Sequence, residues 1–231
     1  MARRPAKPAV ASDTADAKKS ELTRIRILDA TARVLSEKGY AGTRLTDVAA
    51  YAELQAPAIY YYFSSRDDLI EEVMFAGISD MRRHLQAELD RLPDGVSPMD
   101  RIVFAVETHL RHELELSDYT TASIRNSGQI PEHLRSRQKK EAAAYNRIWR
   151  KLFSAARAEG QLREDLDEQL AQALVLGALN WTAEWWDPRR GSLDTIVANA
   201  QVFVRHSLAP HPARANNAAG TSKGKARAAK R

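Results

Sequence analysis

The sequence predicts an all-α fold of about nine helices. Apolar side chains recur three and four residues apart along most of the chain, which is the spacing of one buried helix face. Helix start and stop signals stand where this pattern breaks, with Ser97 and Pro98 at one start and Gly39 and Gly95 at two ends. Beyond residue 66 no segment shows a convincing strand pattern.

Composition excludes several kinds of protein and site. The 231 residues include no cysteine, so disulfides, thiolate metal sites and a cysteine nucleophile are excluded and a cytoplasmic location is favoured. The longest uncharged interval, residues 169–183, is shorter than the roughly 20 apolar residues of a membrane span. Because neither a glycine-rich phosphate loop nor a serine-centred nucleophile turn occurs, we expect no enzyme activity and no cofactor.

Positive charge is concentrated at the two ends of the chain. Residues 1–19 hold five basic and two acidic side chains, and residues 209–231 hold six basic and no acidic ones. The ends together contribute +9 to an overall charge of +5, which leaves −4 for residues 20–208. We expect a disordered basic arm at the start and, where large apolar side chains are almost absent, a disordered basic tail that serves either solubility or additional DNA contact.

Three short helices are predicted within residues 20–66. Apolar residues at helical spacing begin behind Ser20, a potential N-cap, and end at Gly39, which suits the left-handed residue after a helix. Thr46 is predicted to cap a second helix. That helix is too short to be stable in water unless it packs against a partner.

The third helix follows a tight turn. Pro57 stands in its first turn, and Ile59 and Phe63, four residues apart, predict its buried face. The opposite face presents the three tyrosines at 60–62 and is rich in hydroxyl groups. A short helix exposed in this way after a tight turn predicts a helix-turn-helix unit that reads DNA.

These residues resemble the N-terminal signature of the TetR family of transcriptional regulators. The resemblance rests on Ile-Leu-Asp-Ala at 27–30, Gly-Tyr at 39–40, Thr-Asp-Val-Ala at 46–49, Ile-Tyr-Tyr-Tyr-Phe at 59–63 and Ser-Arg-Asp-Asp-Leu at 65–69. Glu53 replaces the glycine that the family usually has in the turn, and Gln55 replaces the usual serine or threonine. Because a non-glycine residue with positive φ costs roughly 1 kcal/mol, Glu53 is expected to shift the turn.

Two kinds of DNA contact are expected from this unit. Hydroxyl and guanidinium groups hold phosphates, whereas amide and small side chains read base edges. Arg66 stands where the family usually has lysine and keeps the positive charge for a phosphate. The predicted DNA contacts are Thr43, Arg44, Thr46, Tyr60, Tyr62 and Arg66 at the backbone, and Gln55, Ala56 and Tyr61 at the bases.

Residues 67–208 are predicted to form a larger helical domain for ligand binding and dimerisation. Gly177 and Ala178 permit the close approach of another helix, and Trp181 and Trp185 share one helix face. In the TetR family the last two helices pair with those of a second subunit, so the resemblance implies a homodimer on a palindromic DNA operator. The predicted interface residues are Leu174, Gly177, Trp181, Ile196 and Phe203.

The middle of this domain resembles TetR regulators that answer to acyl-coenzyme A thioesters of lipid, sterol or branched-chain catabolism. The resemblance rests on residues 130–132, 159–163 and 180–188. A basic helix start followed by aromatic residues suits a phosphorylated head with an apolar tail, although the basic residues can also be an ordinary solvated face. The predicted ligand contacts are Arg135, Arg137, Lys139 and Lys140 at the head, and Phe104, His109, Tyr145, Trp149 and Trp181 along the tail.

Together these patterns predict a ligand-responsive repressor. Ligand binding is expected to swing the long helix that begins near Asp67 and to change the separation of two reading helices from the roughly 34 Å of one DNA turn. The alternatives are an efflux-type repressor with an apolar or cation-binding pocket, and an architectural protein that binds DNA through its tails without sequence preference. His109 and His112 lie three residues apart, but no third ligand is visible, so we expect no metal site.

Overall fold

The predicted all-α fold is confirmed by the computed structural model, which describes residues 10–210. Within that range the chain forms nine α-helices, counting the segments on either side of Trp181 as one, and no strand. The helices are α1 (Val10–Gly42), α2 (Leu45–Tyr51), α3 (Ala56–Ile59), α4 (Arg66–Asp90), α5 (Pro98–Arg111), α6 (Asp118–Asn126), α7 (Ser136–Ala158), α8 (Glu168–Asn180, continued by Thr182–Trp185) and α9 (Leu193–Leu208). The first nine residues and most of the predicted basic tail lie outside the described residues.

The first helix differs from the prediction at its start and agrees with it at its end. It begins at Val10 rather than behind Ser20, so the expected disordered arm is wrong for residues 10–19. Alanine, lysine and glutamate favour a helix, and neither glycine nor proline occurs between Val10 and Gly39. Gly39 breaks the helix with φ 70°, as predicted.

The helix-turn-helix consists of α2 and α3. Arg44 rather than Thr46 is the N-cap of α2, and no side chain caps it. Pro57 lies in the first turn of α3, as predicted. Glu53 in the turn has φ 54°, the one positive φ at a non-glycine residue in the described part of the chain. The turn therefore keeps the left-handed geometry that glycine usually supplies instead of shifting, at a strain of roughly 1 kcal/mol.

α5 and α7 begin in different ways. Ser97 caps α5 by accepting a hydrogen bond from the backbone N–H of Asp100, and Pro98 opens the helix as predicted. α5 continues into a π-helical segment, His112–Leu116. α7 begins at Ser136, directly after a 3₁₀ turn, Glu132–Leu134, and no side chain caps it.

The described residues form two apolar cores, and the boundary between them lies in the middle of α4. The N-terminal core contains α1–α3 and α4 from Leu69 to Met74, and it also takes in Ala122 of α6. The second core contains α4 from Met81 onward together with α5, α7, α8 and α9. The N-terminal core thus extends past residue 66 and includes part of α6. In the described range no helix is long and apolar enough to span a lipid bilayer.

α4 and α6 cross closely at Gly77. A Cβ atom at Gly77 would collide with the backbone carbonyl of Tyr119. The hydroxyl of Ser123 donates to the carbonyl of Met74 at 3.0 Å, and the hydroxyl of Thr120 donates to that of Gly77 at 3.3 Å. α6 is therefore fixed directly to the backbone of the helix that joins the two cores.

Candidate DNA-reading surface and ligand cavity

The helix-turn-helix exposes a polar and aromatic surface. Tyr61 of this surface is 87% exposed, whereas Ile59 behind it is fully buried. Ala56 and Tyr62 are half-buried because they pack against the N-terminal core. The predicted DNA contacts that are exposed are Arg44, Thr46, Gln55, Tyr60 and Tyr61. These groups offer hydroxyl and guanidinium donors for phosphates and an amide for a base edge.

Two predicted phosphate contacts are used inside the protein instead. Thr43 is 2% exposed and its hydroxyl donates to the carbonyl of Gly39 at 2.8 Å, so the predicted phosphate contact of this side chain is wrong. Arg66 donates from Nε to the carbonyl of Thr43 at 2.7 Å and from Nη2 to that of Tyr40, and it pairs with Asp67. Arg66 therefore holds the loop after α1 against α4, and this geometry does not support a phosphate contact.

A cavity of about 340 Å³ opens between α4, α6, α7 and α8. This volume is at the lower end of the roughly 300–1,000 Å³ of ligand pockets. α4 contributes apolar side chains to its wall, whereas α6, α7 and α8 contribute both apolar and polar ones. Residues that line it include Ile78, Met81, Leu176, Arg125, Gln138 and Asn146.

The cavity contains only part of the predicted ligand site. Tyr145 and Trp181 line it, whereas Phe104, His109 and Trp149 do not. Trp149 is fully buried, and its ring lies edge-on to that of His109 at a centroid distance of 6.3 Å. α5 thus fills the space one turn beyond Tyr145, so the cavity does not extend along α7 to Trp149, and the contacts of Phe104, His109 and Trp149 with a ligand stay a prediction.

The basic residues at the start of α7 also lie outside the cavity. Arg135 donates to two backbone carbonyls of the preceding loop at 2.7 and 3.1 Å. Arg137 pairs with Glu72 of α4 at 2.9 Å, and Lys139 pairs with a glutamate of the 3₁₀ turn. Lys140 is exposed. Three of these side chains fix the start of α7 to its neighbours, so their contact with the head of a ligand stays a prediction.

A cluster of buried polar groups lies behind Tyr145. His109 Nδ1 is 2.7 Å from the Tyr145 hydroxyl, and its Nε2 is 3.4 Å from Glu113 Oε2. Both oxygens of Glu113 and the indole nitrogen of Trp149 lack a hydrogen-bond partner. Burial raises the pKa of Glu113, and burial together with nearby histidines lowers the pKa of His112 to about 4. No group of three metal-ligating side chains occurs among the described residues.

The charged side chains that do line the cavity are Arg125 and Glu184. Arg125 Nε lies 2.8 Å from Glu184 Oε1. Neither residue was among the ligand contacts predicted from the sequence. They are 59 positions apart on different helices, so no local spacing signals the pair.

α8 and α9 expose large apolar side chains. Leu174, Trp181 and Phe203 are 74%, 65% and 66% exposed, and a Cβ atom at Gly177 would meet open space. Ile196 packs partly against the second core instead, so its predicted interface role is not supported. Exposed apolar side chains grouped in this way mark an interaction surface.

Sequence comparison matches both parts of the chain to one family. "Bacterial regulatory proteins, tetR family" matches residues 27–73, and "Tetracyclin repressor-like, C-terminal domain" matches residues 95–203. The HTH-type transcriptional regulator HbdR of Aromatoleum sp. (strain CIB) is 26% identical over 178 residues, which cover 77% of this chain and 76% of HbdR.

Solved structures share the fold. AibR in complex with isovaleryl coenzyme A and operator DNA has a TM-score of 0.71 at 17% identity, covering 78% of this chain and 97% of the AibR chain. FadR from Bacillus subtilis in complex with stearoyl-CoA has a TM-score of 0.64 at 16% identity, covering 78% of this chain and 96% of the FadR chain. The chain belongs to the TetR family of bacterial transcriptional regulators and is not an enzyme.

Proposed function

We propose that the protein is a repressor that binds a palindromic operator as a homodimer and leaves it when a small ligand binds. The cavity between α4, α6, α7 and α8 is the observation that carries this proposal. α4 runs from the cavity wall into the N-terminal core, so a ligand that changes the packing of α4 can move α3. This movement changes the separation of the two reading helices in a dimer.

α3 is the proposed reading helix. Gln55 can pair with adenine, and Ala56 can contact a thymine methyl group. We expect Gln55→Ala to relax discrimination at one base pair by about 1–3 kcal/mol. Arg44→Ala should lower the salt slope on operator and random DNA alike by about 0.9. Titrations against both duplexes at several salt concentrations test this, with Arg83→Ala, remote on α4, as the control.

The exposed apolar residues of α8 and α9 support the homodimer, the usual state of the family. A stable association buries more than roughly 1,000 Å², and Leu174 and Phe203 would lie within such an interface between two copies. Phe203→Glu should yield a monomer in sedimentation, whereas Tyr51→Glu, which also replaces an exposed aromatic residue, should leave the dimer intact. A parent protein that sediments as a monomer at micromolar concentration would contradict the proposal.

The proposed ligand class is an acyl-coenzyme A thioester of lipid, sterol or branched-chain catabolism. Structures of AibR and FadR contain ligands of this class. The cavity of this chain offers an apolar wall for an acyl group and Arg125 for an anionic group. Its volume of about 340 Å³ accommodates an acyl chain with part of the pantetheine arm, so the nucleotide would lie outside.

A cation-binding pocket of the efflux type binds its ligand through a free carboxylate or through aromatic rings. Glu184 in the cavity is paired with Arg125, and Glu113 lies outside the cavity with a raised pKa caused by burial. These contacts disfavour a carboxylate site, whereas Tyr145 and Trp181 would suit an aromatic one. An architectural role would depend on the basic ends of the chain, which lie mostly outside the described residues.

Tryptophan fluorescence tests the ligand class, because Trp181 lines the cavity. Acetyl-, isovaleryl- and stearoyl-CoA are compared with free isovalerate and with tetraphenylphosphonium, an apolar cation that does not intercalate into DNA. We expect at least one of the longer thioesters to change the emission and to release operator DNA, while isovalerate binds much more weakly. If tetraphenylphosphonium does both and no thioester does either, the efflux-type alternative is correct.

A further inference from the structure

Arg125 of α6 contacts two other helices with one guanidinium group. It lies in the last turn of α6 and lines the cavity. Its Nε and Nη2 donate to the two carboxylate oxygens of Glu184 on α8 at 2.8 and 3.2 Å. Its Nη1 donates to the carbonyl of Ser36 on α1 at 2.9 Å. Arg125 therefore joins the cavity to the N-terminal unit.

The carbonyl of Ser36 lies where α1 needs an outside partner. α1 breaks at Gly39, so the carbonyls of its last turn have no following helical N–H groups. Asn126 donates to the carbonyl of Leu35 at 3.2 Å, and its own carbonyl accepts from the N–H of Tyr40 at 2.7 Å. Arg125 and Asn126, neighbours on α6, thus together cap the end of α1.

Arg125 and Glu184 also separate two spaces. Both line the ligand cavity, and both line a smaller polar cleft of about 220 Å³ beside the end of α1, which includes Ser36 and Gly39. The ion pair is only one-third exposed on each side. A ligand group that reaches this wall of the cavity meets the same guanidinium that holds α1.

We infer that Arg125 recognises the anionic group of the ligand and releases α1 when it does so. This inference rests on the proposed function and adds the route from ligand to DNA. A carboxylate or phosphate oxygen in the cavity competes with Glu184 for Nε and Nη2. Because the donors of a guanidinium are fixed in one plane, turning toward the ligand withdraws Nη1 from Ser36.

Replacement of Glu184 by a ligand anion at Arg125 requires little energy, whereas the other contacts between α6 and α1 stay in place. A partly exposed ion pair contributes little to stability, so a ligand anion can replace Glu184. Asn126 is fully buried and keeps its bonds to α1. Loss of the Ser36 contact therefore loosens α1 against α6 without separating the two cores.

The test measures two quantities on the full-length protein: the affinity for an operator selected from random duplexes, and the isovaleryl-CoA concentration that releases it. Arg125→Ala should lower ligand-free operator affinity about 3-fold or more and raise the releasing concentration about 10-fold or more. Arg82→Ala is the matched control, since Arg82 pairs with Glu141 at 2.5 Å between α4 and α7 but contacts neither the cavity nor α1. It should behave like the parent.

Two further variants distinguish recognition from folding. Arg125→Lys keeps the charge but cannot bind Glu184 and Ser36 together, so it should bind isovaleryl-CoA within about 3-fold of the parent in calorimetry and yet require about 10-fold more for release. Glu184→Gln weakens the competitor and should lower the releasing concentration about 3-fold. Free isovalerate shows whether a carboxylate alone is sufficient.

Equal values for Arg125→Ala and Arg82→Ala in both measurements would overturn the inference, as would normal release in Arg125→Lys. If no thioester binds the parent, the proposed ligand class is wrong. The ligand-free operator affinities then still decide the Arg125–Ser36 link, because that comparison uses no ligand.

Discussion

The N-terminal unit and the interior of the larger domain differ in how they treat buried polar groups. In the N-terminal core Thr31 donates to the carbonyl of Ile27 at 2.7 Å, and where α6 meets this core the side chain of Asn126 makes two hydrogen bonds to α1 and one within α6. Within the described range, the buried side-chain nitrogens and oxygens that lack a hydrogen bond all lie in the larger domain, on His109, His112, Glu113 and Trp149. The larger domain therefore contains groups that a rearrangement can satisfy.

This difference separates a rigid part from a responsive part. An unsatisfied buried polar group costs about 1–3 kcal/mol, so a repacking that gives these groups hydrogen-bond partners would be favourable. A ligand can stabilise a helix packing of the larger domain that relieves this cost, whereas the DNA-reading unit has no such cost that a change of its internal packing would relieve. The reading unit is thus expected to move as one body.

The largest expected effect is at Asn126. Asn126→Ala leaves the Tyr40 N–H and the Leu35 carbonyl without partners, and we expect it to lower the free energy of unfolding by about 3 kcal/mol. Asn146→Ala, at a half-buried cavity position, should cost less than about 0.5 kcal/mol. Urea unfolding compares them, and a small loss at Asn126 would remove the distinction between the two regions.

The second effect is a pH dependence at His112. Its folded pKa of about 4 lies below the ordinary 6.5, so as pH falls the unfolded chain takes up the proton first. Stability is therefore lost as pH falls from about 6.5 toward 4, by about 2 kcal/mol at pH 5. Asp80 opposes this loss, and His84 and His109 add to it. His112→Gln should remove that part of the pH profile, and parallel profiles for parent and variant would exclude it.

A smaller effect of opposite sign is expected at Glu113. Its pKa is raised mainly by burial, so the charged carboxylate destabilises the fold above the unfolded value of 4.5. Glu113→Gln should raise the free energy of unfolding by about 1 kcal/mol at neutral pH, and the gain should disappear near pH 4. Glu107→Gln, which breaks a partly exposed pair with Arg111, should instead give a small loss. A loss at Glu113 would mean that His109 compensates its charge.

The smallest effect lies in the reading unit, at its one strained position. Glu53→Gly should relieve the positive φ and stabilise the protein by about 0.5–1 kcal/mol after the entropy that glycine loses on folding. Glu53→Ala removes the carboxylate without relieving φ and serves as the control. Equal stabilities of the two variants in thermal unfolding would show that the turn is not strained.

Helix boundaries could largely be predicted from the sequence, whereas contacts between distant helices could not. The break at Gly39, the cap at Ser97 and the first-turn Pro57 were predicted correctly, because each depends on a few consecutive residues. The start of α1 was missed since the residues before Ser20 carry good helix propensity without a stop signal. Local rules therefore describe most of the fold.

The cavity could not be predicted in the same way. Arg125 meets Glu184 only because α6 and α8 pack together, and Arg66 turns inward only because the loop after α1 lies beside it. The sequence led us to expect basic residues of α7 beside the ligand, whereas the basic residue that lines the cavity is Arg125 of α6. The local sequence around Arg137 carries no signal that Glu72 of α4 lies beside it.

Hydrogen–deuterium exchange on the full-length protein tests the division into rigid and responsive parts most directly. Without ligand, amides of residues 27–35 should exchange more slowly than those of residues 104–116 around the buried polar cluster. Isovaleryl-CoA should slow exchange in the second segment, leave the first unchanged, and accelerate exchange at the end of α1 beside Ser36. Faster exchange in residues 27–35 than in residues 104–116 would contradict a rigid reading unit joined to a responsive domain.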